Sequence, residues 1–339
     1  MNKNPSLTQN RIPFVDMTKG MAVILVVLGH YRPDSAPEWY HLFVDFIYTF
    51  HMPVFMALAG FLFYQGFNKN KSYPRFVYSK FQRLMIPYFS VSFLVITIKL
   101  IAQCFVRIDN PISGMAYLKS FYYPEAGFFL WFMYTLFVLF LFVPLCLKYL
   151  PKYGLEILGI LALFLFLVNG ESIPNIFCFR QIKNMLIFFI TGCYLSKYSS
   201  KLPDSLFVGL FLFFLSMICF YINQSINQSI VCEKLLLLFL GISGCIWLPQ
   251  LAKTIARCNP RAAGFFSYIG LMSSSIYLFH TTTMSPFKYF WWSFIGVSTN
   301  FYFIGSVLLV STAGVVFPVF IKILINKNKI VSRCLLGEK

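Results

Sequence analysis

Long apolar stretches, separated by short segments that carry most of the Lys and Arg, recur along the whole chain. Runs suited to crossing a bilayer occupy residues 13–33, 42–64, 85–106, 128–147, 154–169, 183–197, 205–222, 232–250, 265–284 and 301–325, the fifth and sixth being the shortest. A hydrocarbon core about 30 Å thick takes about 20 apolar residues in helical form. Hydrocarbon offers no partner for open backbone groups, so regular spans of this kind must be helices. The pattern predicts an all-α, polytopic integral membrane protein with about ten transmembrane helices. No fixed-period repeat, low-complexity tail or Gly/Ser/Pro linker divides it, and residues 1–339 are expected to form a single transmembrane domain with no appended soluble domain.

The basic residues then orient the spans. With the N-terminus inside, twenty of the 28 Lys and Arg fall on the inner side: Lys3, Arg11 and Lys19; Lys69, Lys71, Arg75, Lys80 and Arg83; Lys148 and Lys152; Lys197 and Lys201; Lys253, Arg257 and Arg261; Lys322, Lys327, Lys329, Arg333 and Lys339. Eight remain outside or in spans: Arg32, Lys99, Arg107, Lys119, Arg180, Lys183, Lys234 and Lys288. Cytoplasmic loops collect Lys and Arg, so both termini are expected in the cytoplasm. The first apolar run follows Arg11, Asp16 and Lys19 and lacks a small-residue cleavage site, which makes it a retained helix.

Composition agrees. Of 339 residues, 58% are hydrophobic and 12% charged, where a soluble domain carries about 25% charged residues. The net charge of +17 does not indicate nucleic acid, because the basic residues are spread over many short loops. The nine cysteines form no CxxC and mostly sit in or beside apolar runs, so neither a metal site nor a disulfide framework is expected.

Ionisable residues inside spans are costly and point to function. His30, His51 and His280 qualify, whereas His41 falls at an outer boundary. Lys19 and His30 are eleven positions apart. On a helix this places them within about 20° of one another and about 16 Å apart along the axis. Asp16, three positions before Lys19, can pair with it. A neutral imidazole at position 30 could take a proton from a hydroxyl, as general-base acyl transfer requires; it could equally serve as a hydrogen bond between helices. His51 lies in Phe50-His51-Met52-Pro53, where Pro53 can kink the span, and Gly60 beyond it permits close helix approach. Lys80 and Arg83, at i and i+3 in a basic, aromatic-interleaved loop from Lys69 to Arg83, could grip the phosphates of a cytosolic donor; attraction to anionic headgroups explains the same loop. Ser275, Tyr277 and His280 share one span, and Trp131 marks an outer boundary.

As a set these segments resemble the membrane acyltransferase-3 family of O-acyltransferases. The resemblance rests on Asp16-Met-Thr-Lys19-Gly20 leading to Gly29-His30, Phe50-His51-Met52-Pro53 through Gly60-Phe61, Lys80-Phe-Gln-Arg83-Leu with Pro87-Tyr88, Leu130-Trp131-Phe132, and Ser275-Ile-Tyr277-Leu-Phe-His280. It implies a roughly ten-helix enzyme of the bacterial inner (cytoplasmic) membrane, with no permanently bound cofactor and no metal. Such an enzyme moves an acyl group, usually acetyl, from cytosolic acyl-CoA to a hydroxyl of a surface polysaccharide or lipid-linked sugar. It further implies that His30 is the essential histidine. His30 is expected either to take the proton of the acceptor hydroxyl or to help relay the acyl group outward, with Lys19 and Asp16 as further catalytic residues that organise the cytoplasmic end of its groove. His51, His280, Ser275, Tyr277 and Trp131 would shape the pocket, and Lys80 and Arg83 would hold the donor. Lys19 stands where many members have Arg, and Lys80-x-x-Arg83 where they have Arg-x-x-Arg, so the bidentate fork of a guanidinium is replaced by a point charge at both places. The competing readings are a transporter or flippase of a lipid-linked glycan and a non-catalytic partner in polysaccharide assembly.

Overall fold

The computed structural model describes residues 12–68, 72–105, 111–124, 127–170, 173–201, 204–225, 229–296 and 299–338. Lys3, Arg11, Lys69, Lys71, Arg107 and Lys339, used above to orient the chain, lie outside the described residues. The helices are α1 (Pro13–His30), α2 (Glu38–Gly66), α3 (Tyr73–Lys80), α4 (Ile86–Ala102), α5 (Met115–Lys119), α6 (Trp131–Tyr149) and α7 (Gly154–Leu167). They continue with α8 (Phe179–Lys197), α9 (Leu206–Ser225), α10 (Ile230–Cys258), α11 (Pro260–Phe294), α12 (Asn300–Ile325) and α13 (Lys329–Leu336). Among the described residues there is no strand.

Nine helical segments among the described residues are long and apolar enough to span a membrane. The fifth expected span, seen as α7, has only 14 residues. At 1.5 Å per residue it rises about 21 Å, less than a hydrocarbon core. The chain is therefore an all-α, multi-pass membrane protein.

Several helices outrun the apolar runs that announced them. The stretch expected as a loop from Lys69 to Arg83 is helical from Tyr73 onward and joins α4 through a π-helical turn at Phe81–Met85. Pro74 sits in the first turn of α3, where its missing N–H costs nothing. Pro87 has no N–H to return to Arg83 and would crowd that carbonyl in an α-helix. The wider π turn, with the Ile86 N–H bonded to the Phe81 carbonyl, accommodates it. Likewise α8 begins at Phe179 rather than 183, so Lys183 lies within the helix, buried, with Nζ donating to the Val168 carbonyl at 2.6 Å.

Two compact units are distinguished, residues 1–58 with 200–317 and residues 59–199 with 318–339. In the first, α1 packs most extensively on α11, and α9 packs on α10. The α9–α10 contact holds a buried Ser216–Ser243 hydrogen bond of 2.6 Å. Beside it Trp247 of α10 meets Phe213 of α9 and Phe50 of α2 edge to face. The second unit pairs α7 with α8 and α13 with α4. Its rings Phe63, Phe140 and Phe189 lie 5.6–5.9 Å apart, and Gly60 meets the Phe189 carbonyl directly, the close approach expected of it.

Candidate active site

The site in the first unit begins with two glycines. A Cβ at Gly20 would run into the Phe266 carbonyl and stand 2.9 Å from the Gly270 nitrogen. One at Gly270 would run into the Asp16 carbonyl. The two backbones therefore touch, as small residues allow in a membrane, where dispersion and not hydrophobic exclusion drives helix association. His30 follows Gly20 by ten residues and His280 follows Gly270 by ten. Because α1 and α11 run in the same direction, an equal rise of about 15 Å on each brings the two imidazoles to one level. Their ring centroids are 4.8 Å apart, tilted by 53°.

His30 ends α1 and is exposed, while His280 and His51 are buried. The last carbonyls of α1, which have no partner within the helix, are satisfied from α2. Tyr40 Oη donates to the Leu28 carbonyl at 3.0 Å and Tyr48 Oη to the Gly29 carbonyl at 3.1 Å. The Tyr48 ring stands 6.5 Å from His30 and 4.9 Å from His51, edge-on to both. His280 Nδ1 lies 3.0 Å and 2.8 Å from the Ile276 and Tyr277 carbonyls, and His51 Nδ1 lies 2.8 Å from the Ile47 carbonyl. A carbonyl only accepts, so in both residues Nδ1 carries the hydrogen and Nε2 keeps its lone pair when the ring is neutral. The backbone thereby fixes tautomer and ring orientation, and His30 has one fixed imidazole at its side. Among the described residues no carboxylate reaches His30 at ion-pair distance.

The structure brings together His30, His51 and His280, with the Tyr277 ring 6.4 Å from His280; Ser275 is buried on α11 five residues before His280, which places it on a different face of the helix. Asp16 and Lys19 form the expected ion pair at 3.5 Å, both partly shielded. They lie at the other end of α1 from His30, so neither touches the imidazoles.

Lys80, Arg83 and Trp131 belong to the second unit. Lys80 Nζ stands over the Phe140 ring at 4.0 Å and the Phe76 ring at 5.3 Å, held by cation–π attraction. Arg83 is exposed and lies within the π turn, where the wider helix turns the pair further apart than i, i+3 on an α-helix would. Gly337, at φ +64°, seats its backbone against Gln82 and Arg83: an added Cβ would lie 2.7 Å from the Arg83 Cα. Lys322 Nζ holds Glu338 at 2.7 Å beside it. Trp131 opens α6, half-buried, with its ring against Phe132.

Sequence reasoning missed Tyr40 and Tyr48, which look like ordinary boundary aromatics until α2 is laid against the end of α1. It also missed Gly20 and Gly270 as a contact. The repeated ten-residue step from Gly to His in two spans was the available signal.

The Acyltransferase domain family matches residues 12–323. Nodulation protein NolL of Sinorhizobium fredii (strain NBRC 101917 / NGR234) is 36% identical over 112 residues, covering 31% of this chain and 30% of that protein. Nodulation protein NolL of Mesorhizobium japonicum (strain LMG 29417 / CECT 9101 / MAFF 303099) is 34% identical over 101 residues, covering 28% and 26%. This chain thus matches less than a third of either relative's length. No solved structure matches it. With the family match extending from the start of α1 almost to the end of α12, the chain belongs to the acyltransferase-3 family of membrane acyltransferases.

Proposed function

We propose that this acyltransferase moves an acyl group, acetyl in the simplest case, from cytosolic acyl-CoA to a hydroxyl of a surface polysaccharide or lipid-linked sugar, in a bacterial cytoplasmic membrane. The observation that carries the reading is an exposed imidazole, His30, held at 4.8 Å from a second imidazole whose tautomer is fixed by backbone carbonyls.

In the proposed step an imidazole nitrogen of His30 takes the proton of the acceptor hydroxyl as its oxygen attacks the thioester carbonyl carbon. The carbon–sulfur bond breaks, the ester forms, and the coenzyme A thiolate leaves, recovering a proton from the imidazolium. General-base assistance of this kind contributes about 10²–10⁴-fold. His280 and His51 hold the surroundings of the base and do not touch the reacting atoms in this scheme. Lys80 and Arg83 bind the donor's phosphates, Lys80 from its position over Phe140 and Arg83 from the π turn. Asp16 and Lys19, paired at the far end of α1, organise the cytoplasmic end of the groove. Ser275 and Tyr277, on the same helix as His280, line the pocket walls. Both termini face the cytoplasm in this scheme, which puts the donor-binding cations on the side where acyl-CoA is made.

The test is mass spectrometry of surface glycans from cells with and without the protein, joined to incubation of purified protein with labelled acetyl-CoA. The expected result is an acyl mass increment that disappears with the protein and label that moves from coenzyme A to glycan. Unchanged glycans together with untouched acetyl-CoA would reject the proposal and favour a transport role.

A further inference from the structure

Just beyond His30 the chain turns back into α2, and the polar side chains of that turn converge. Arg32 Nη1 donates to Asp45 Oδ1 at 2.7 Å, and Arg32 Nε donates to His41 Nδ1 at 3.2 Å. On α2, residues 41, 45, 48 and 51 follow at steps of four, three and three, which places them on one helical face. That face is a polar stripe, His41–Asp45–Tyr48–His51, in an otherwise apolar span. Tyr48, with its hydroxyl on the Gly29 carbonyl and its ring beside His30, links the ion pair to the imidazole.

The ion pair does little for the fold. Its side chains are 42% and 36% exposed, and exposed pairs contribute little to stability. The end of α1 is already closed by Tyr40 and Tyr48. A carboxylate on the polar stripe of a spanning helix therefore calls for another explanation. The hydrogen bonds described use Asp45 Oδ1 and Arg32 Nη1 and Nε, leaving a carboxylate oxygen that only accepts and a guanidinium nitrogen that only donates. Adjacent hydroxyls on a sugar ring match that combination, one donating to Asp45 and its neighbour accepting from Arg32. Trp39, Phe43 and Tyr48, 40–48% exposed, add apolar faces of the sort that cover a sugar's C–H surface.

We propose that Arg32, Asp45 and Tyr48 form the acceptor subsite, gripping neighbouring hydroxyls of a sugar so that a further hydroxyl reaches His30. This rests on the acyl-transfer reading above and adds to it where the acceptor binds and what chemistry it presents.

The experiment uses the full chain in lipid nanodiscs with labelled acetyl-CoA and, as probe acceptor, surface polysaccharide extracted from cells lacking the protein. Three forms are compared with the wild type: Asp45→Asn, Arg32→Lys, and the exchange Arg32→Asp with Asp45→Arg. Asn retains an oxygen for Arg32 and so preserves the turn. The expected result is an acceptor KM raised about tenfold or more by each single substitution, the loss of one charge-assisted hydrogen bond, with the donor KM within about twofold of wild type. The exchanged pair, which restores the attraction but swaps donor and acceptor, should not recover the acceptor KM. An unchanged acceptor KM, an equal rise in donor and acceptor KM, or recovery by the exchanged pair would each overturn the subsite and leave a structural ion pair. A wild type that transfers no label to any acceptor would overturn the acyl-transfer reading, and the subsite with it.

Discussion

Alanine at position 270 adds one methyl group where α1 and α11 touch. Its carbon would run into the Asp16 carbonyl and stand 3.2 Å from the Asp16 Cα, whereas carbon atoms pack best at about 3.5–4.0 Å. Backbone cannot rotate away as a side chain can, so α1 must withdraw from α11 by roughly an ångström. The displacement is carried along both helices to the level where His30 and His280 meet. An ångström of misplacement at a catalytic centre costs about 10²-fold in rate, near 2.7 kcal/mol. The control is on the same helix: Gly264 has nothing within 4 Å of an added Cβ, and alanine there is the better helix former by about 1 kcal/mol. Acylation of surface glycan, normalised to the amount of folded protein in the membrane, should fall about 10²-fold for Gly270→Ala and stay at the wild-type level for Gly264→Ala. Full activity in a well-assembled Gly270→Ala protein would refute the claim that this contact sets the imidazole geometry, as would equal losses in the two variants.

Other outcomes follow from the same structure. Phe140→Leu removes the ring beneath Lys80 and should raise the donor KM by about 2–5-fold, the value of a single cation–π contact at the lower end of its range, with kcat little changed; steady-state kinetics over acetyl-CoA concentration would measure it. Gly337→Ala places a carbon 2.7 Å from the Arg83 Cα at a left-handed backbone position and should raise the donor KM several-fold while the acceptor KM stays constant. Lys183→Met leaves the Val168 carbonyl without its buried donor, an omission worth about 1–3 kcal/mol, and should lower the thermal midpoint in detergent; an unchanged midpoint would show that the bond is dispensable.

Much of the fold is legible because lipid imposes a single rule on the backbone, and the length of each apolar run carries it. The rule fails at the ends of helices. α11 continues to Phe294 through Lys288, Tyr289, Trp291 and Trp292 because a helix may leave hydrocarbon without ending, and polar or interfacial residues then mask its length. α8 includes Lys183 because a carbonyl is available to receive its charge. The segment before Pro87 looked like a loop, since a proline and a run of basic residues usually end a span; the π turn absorbs the proline instead. In the site, each histidine stood out as an isolated cost. That His30 meets His280, across 250 positions of sequence, depends on which helices touch, and only the matched Gly-to-His steps hinted at it. Asp45 and Arg32 fell near the ends of two different apolar runs, so their pairing became visible only once the turn after α1 was drawn.

In the proposed transfer the imidazole of His30 acts as the base. Purified His30→Ala, shown to be folded by its elution and thermal midpoint in nanodiscs, should transfer labelled acetyl from acetyl-CoA to extracted surface polysaccharide at least about 10²-fold more slowly than wild type, with an unchanged donor KM. Transfer at the wild-type rate by the folded variant would remove His30 from the chemistry.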